Sequence, residues 1–131
     1  MSELKFRVWD THRKTIYPAQ EIRFKNNELL AVWRTHGERC LVEGAVPIMQ
    51  YIGAKDKNDI EIYEGDVIRE NARRNKVDYV IRWSAAACGF VAEPLIAGRI
   101  YPNLNQGTMV HYEVIGNIYE NPEMVSNETD T

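Results

Sequence analysis

Apolar and polar residues alternate with a period of two along most of the chain, the signature of half-buried β-strands. Leu4, Phe6 and Val8 alternate with Lys5, Arg7 and Trp9, and the polar stretch Asp10–Lys14 can turn the chain. Ile22 and Phe24 alternate with Glu21, Arg23 and Lys25 before Asn26-Asn27. Asparagine tolerates the left-handed conformation of tight hairpin turns, so a hairpin is expected there, returning through Glu28–Thr35. His36-Gly37-Glu38 is a second expected turn, with Arg39–Val42 pairing back, and Gly44-Ala45-Val46-Pro47 interrupts because proline cannot donate to a ladder.

Ile48–Ile52 reads as a short strand ending at Gly53, followed by the solvated turn Lys55–Asp59. Ile60 and Ile62 then supply one apolar face with Glu61 pointing away, and Glu64-Gly65-Asp66 is a sharp turn into Val67-Ile68. Gly65 gives the turn its conformational freedom, and Asp66 can accept nearby amides in an Asx-type turn. Asn71–Asn75 is an exposed loop tip. The clearest alternation follows, with Val77, Tyr79, Ile81 and Trp83 on one face and Asp78, Val80, Arg82 and Ser84 on the other. Ala85–Ala87 leads into a return strand at Cys88–Val91, and Gly98–Gly107 is a long surface loop. Val110, Tyr112 and Val114 begin a final strand reaching Tyr119, with Asn121-Pro122 ending it.

No window of helical length carries helical periodicity. The expected fold is therefore mainly β, a sandwich or small barrel of short antiparallel strands with little helix. At 131 residues the chain reads as a single domain over 1–125, with two small β lobes, 1–48 and 49–122, as the alternative and a disordered polar tail at 126–131. With 44% hydrophobic residues a core forms without metal or disulfide staples. Apolar runs fall far short of the ~18 residues needed to span a bilayer, and Met1–Phe6 enters a strand without an apolar leader. A cytoplasmic protein is the expectation.

Candidate chemistry is sparse. The net charge of −3 argues against a dominant attraction to nucleic acid but leaves room for a local basic patch. That patch is Arg69, Arg73, Arg74, Lys76 and Arg82 around the Asn71–Asn75 loop, with Tyr79, Trp83 and Phe90 near in sequence. Small β-barrels bind nucleic acid through basic grooves lined with aromatics, so these five residues form the candidate nucleic-acid site. A solvated hairpin tip beside core aromatics is the structural alternative. The carboxylates Glu61, Glu64, Asp66 and Glu120 can converge for acid–base or Mg²⁺ chemistry, although turn and surface duties explain each of them. His12, His36 and His111 lie at no ligand spacing, and no glycine-rich phosphate loop occurs. Cys40 and Cys88 read as two reduced, buried thiols, a bridge between them being the alternative. No catalytic residue, cofactor or metal is assigned. Trp33, if it faces outward opposite Leu30 and Val32, suits a subunit or partner interface.

Three segments together resemble the YopX family: Lys5-Phe6-Arg7-Val8-Trp9-Asp10, the run from Met49 to Ile68, and Val114-Ile115-Gly116-Asn117-Ile118-Tyr119-Glu120-Asn121-Pro122-Glu123. The middle run holds Tyr51-Ile52-Gly53, Lys55-Asp56-Lys57-Asn58 and Ile60-Glu61-Ile62-Tyr63-Glu64-Gly65-Asp66. The resemblance implies a mainly-β pseudobarrel and an origin in bacteriophages or prophages. It implies no enzymatic role and makes self-association plausible. Where the family's turn reads Lys-Asn-Gly, this chain has Asp59 after Asn58. Aspartate tolerates positive φ at modest cost, so the hairpin is expected to survive. The expected function is a protein-interaction module that self-associates, and the alternative is a weak nucleic-acid-binding module.

Overall fold

In the computed structural model the described residues are 3–34, 39–41, 47–70 and 77–126. The expected His36 turn, the Val42–Val46 segment, the Asn71–Asn75 loop with Lys76, and the end of the tail lie outside them, as do the side chains of Trp33 and Cys40. The strands are β1 (Phe6–Asp10), β2 (Thr15–Lys25), β3 (Glu28–Arg34), β4 (Arg39–Leu41), β5 (Ile48–Lys55), β6 (Glu61–Tyr63), β7 (Asp66–Glu70), β8 (Asp78–Ser84), β9 (Gly89–Pro94) and β10 (Tyr112–Asn117). Two single-turn helices are α1 (Gln106–Met109) and α2 (Glu123–Ser126). Two antiparallel sheets form, ordered β4-β3-β2-β1-β5-β6 and β10-β7-β8-β9, and neither closes among the described residues. The expected mainly-β fold with little helix is what the chain adopts.

Contacts divide the chain into two compact units, Leu4–Gln50 and Tyr51–Thr131 with the first three residues. In the first unit, Val8, Tyr17 and Val32 form a small core, with Ala19, Ile22, Leu29 and Ile48 packed against it. The β2–β3 turn is the expected one: Asn26 and Asn27 both have positive φ, and Lys25 pairs with Glu28 across a two-residue loop. Asp10 starts the preceding turn, its Oδ1 accepting from the amides of His12 and Arg13 at 2.9 Å each. β2 begins at Thr15, ahead of the alternation that starts at Glu21. Tyr17 and Pro18 already pair with Val8 and Arg7, but Pro18 breaks the polar–apolar rhythm by which a strand is recognised.

The second unit has the larger core: Ala54 and Ile62 from β5 and β6 meet Ile68, Tyr79, Ile81, Ala92 and Tyr112 from the four-stranded sheet, with Val77 and Met109. Ile62, Ile68, Ile81 and Met109 are fully buried, each contributing about 1.5–3 kcal/mol of apolar transfer free energy. β5 does not end at Gly53. Gly53 takes φ 89° and the register shifts between Tyr51 and Lys55, so a bulge bends the strand and lets it run on to Lys55.

Ile60 is 52% exposed and does not share the buried face of Ile62. Its amide is still held by the preceding turn, and β6 starts only at Glu61. Val110 ends α1 and is exposed, so β10 starts at Tyr112. That strand stops at Asn117, short of Tyr119. The loop over Gly98–Gly107 runs into α1, whose first turn Asn105 caps by accepting from the Thr108 amide at 2.9 Å. After Pro122 the chain makes α2 within the expected domain, reaching Ser126, the first residue of the expected tail.

Candidate interaction surface

The Met49–Ile68 segment is a folding device whose key group is Asp56. Its side chain is 3% exposed, although it sits in a turn that reads as solvated. Oδ1 accepts from the amides of Asn58 (2.8 Å) and Ile60 (2.9 Å), while Oδ2 accepts from the Val114 amide (2.9 Å) on β10. The Lys57 amide donates to the Tyr112 carbonyl at 2.9 Å, so the turn covers the outer edge of β10. Asp59 has φ 64°, the left-handed conformation expected of it. Gln106 adds a second clamp, with Oε1 accepting from the Lys55 amide (2.8 Å) and Nε2 donating to the Lys55 carbonyl (3.0 Å).

Of the carboxylates singled out as candidate chemistry, Asp66 serves the backbone, while Glu61 and Glu120 meet neighbouring side chains. Asp66, 1% exposed, accepts from the Tyr63 amide at 2.8 Å as its turn demands, and Gly65 takes φ 89°. Asn117 lies opposite Asp66, its Oδ1 accepting from the amides of Tyr119 and Glu120 and its Nδ2 donating to Glu120 Oε1 at 2.8 Å. The Tyr63 hydroxyl lies 3.4 Å from Glu61 Oε1. Among the described residues no three His, Cys, Asp or Glu side chains are grouped to hold a metal ion.

Of the five basic candidates, Arg73, Arg74 and Lys76 lie outside the described residues. Arg69 forms a two-pronged pair with Asp78, Nε–Oδ1 2.7 Å and Nη2–Oδ2 3.1 Å, and the Asp78 carboxylate holds the guanidinium above its ordinary pKa. Cross-strand register extends this pair into a row. Glu113 stands opposite Arg69 on β10, Asp78 opposite it on β8, and Lys57 reaches Glu113 at 3.5 Å. Charges of alternating sign thus cross three strands. Arg82 lies 3.5 Å from Glu93. Strand alternation sets Arg69 and Arg82 on the face of Val67 and Val80, whereas Tyr79, Ile81 and Trp83 occupy the opposite face. The two described arginines and the aromatics are therefore not on one face.

Tyr79 and Tyr112 meet edge to face, ring centroids 5.6 Å apart. Burial, reinforced by the Glu70 carboxylate, raises both phenols and takes Tyr112 to about 12. Trp83 continues the Tyr79–Ile81 row past the end of this core and is 57% exposed. It stands against Phe90, its cross-strand partner, with centroids 5.3 Å apart and ring planes at 85°. The turn beyond is Ala85–Cys88, all four residues exposed, closed by the Cys88 amide on the Ala85 carbonyl (3.3 Å) and the Ala87 amide on Ser84 Oγ (3.2 Å). Cys88 has φ 54° and is a free, exposed thiol, not a buried one. A turn tip cannot bury what it carries. From Trp83 to Phe90 the chain has no charged residue.

The described residues define a mainly-β protein of two antiparallel sheets, with Asp10, Asp56, Asp66 and Asn117 holding its turns. Comparison with known proteins gives the class a family: the model of the YopX protein family matches residues 5–126. The chain belongs to the YopX family. No curated protein matches the sequence. Among solved structures it is similar to protein EF1440 from Enterococcus faecalis, with a TM-score of 0.70 and 26% identity over 95% of this chain and 99% of that one. No helix of the described residues is long and apolar enough to cross a membrane.

Proposed function

We propose that this chain is a non-enzymatic accessory protein of a phage or prophage, acting in the cytoplasm of the bacterial host through protein–protein contact and self-association. The observation that carries this reading is the outer end of the β8–β9 hairpin. Turn tips ordinarily carry polar residues. This one exposes Trp83 beside Phe90 across an eight-residue stretch without a charge. Tryptophan and phenylalanine are enriched at protein interfaces, and buried aromatics dominate their energetics. The reading is supported further by the engagement of Asp56, Asp66 and Asn117 with backbone amides, which accounts for these buried polar groups structurally.

The nucleic-acid alternative, resting on Arg69, Arg73, Arg74, Lys76 and Arg82, draws less support. Arg69 and Arg82 already face the carboxylates of Asp78 and Glu93. Light scattering on the eluting protein, with Trp83→Ser beside the parent chain, tests the proposal. Association that weakens in the variant supports it, and a parent chain that stays monomeric at high concentration overturns it.

A further inference from the structure

We draw no further inference here: the strongest candidate, the loop after β9 that presents Ile96, Ile100 and Tyr101 to solvent, is an unpartnered apolar surface, and nothing in the structure shows what covers it.

Discussion

Replacing Asp56 by alanine removes the acceptor for three amides at once, those of Asn58, Ile60 and Val114 at 2.8–2.9 Å. A hydrogen bond to a charged group contributes about 1.5–3 kcal/mol. Asn58 and Ile60 are exposed, so water can recover much of what their amides lose. Val114 is half-buried on the β10 edge that the turn covers, and its amide loses a partner with less recourse to solvent. The combined cost is about 3–5 kcal/mol. For a folding unit of this size that lowers the melting temperature by about 15–25 °C. Asp56→Asn keeps one acceptor oxygen but turns its carboxamide NH2 toward a backbone N–H donor, so it falls between the parent and the alanine variant. Asp59→Asn, at an exposed position where asparagine accepts the same positive φ, is the control, with an effect within about 0.5 kcal/mol. Urea and thermal melts followed by near-UV circular dichroism measure all three. An Asp56→Ala variant within about 1 kcal/mol of the parent refutes the idea that this carboxylate ties the turn to β10.

Other expectations rest on separate contacts. A Cβ added at Gly116 would stand 2.6 Å from Asn121 Oδ1 and 3.0 Å from Met124 Sδ, so Gly116→Ala costs about 1–3 kcal/mol; pairing it with Asn121→Gly in chemical denaturation recovers part of the loss. Because Tyr112 is raised to about 12 and Tyr79 is raised as well, the native state keeps phenolic protons that the unfolded chain releases near pH 10. Their contribution is whole below about pH 10 and is lost as pH climbs toward about 12, so spectrophotometric titration shows two late-ionising tyrosines that normalise on unfolding. A double-mutant cycle on Arg69 and Asp78 yields a coupling of about 1 kcal/mol, as suits a bidentate but partly exposed pair, and zero coupling by denaturation contradicts the cross-strand row. Gel shift with labelled DNA and RNA at low salt gives little binding, and strong binding abolished by reversing Arg73 and Arg74 restores the nucleic-acid alternative.

Most strands and turns were legible because period-two alternation and turn chemistry are local. Asn26-Asn27, Asp10 and Gly65-Asp66 behave as their residue types dictate. What stayed hidden depends on distant neighbours. Asp56 reads as solvated because its partner Val114 lies 58 residues away. Trp83 reads as core because it continues the Tyr79–Ile81 row, and only the hairpin's length decides that it lies past the packed region. Arg69 reads as a free cation because register, not spacing, sets it between Glu113 and Asp78. Cys88 reads as buried because free cysteines usually are, yet the return strand begins one residue after it. The proposed surface shows itself only once the uncharged stretch is located on a turn.

The mass of the parent chain in solution, measured by light scattering across rising protein concentration, bears most directly on the proposed role. A mass above the 15.2 kDa of a single chain, increasing with concentration and falling back in folded Trp83→Ser, is the predicted result. A mass that stays at one chain throughout, or an assembly equally strong after Trp83→Ser, contradicts self-association through the β8–β9 end.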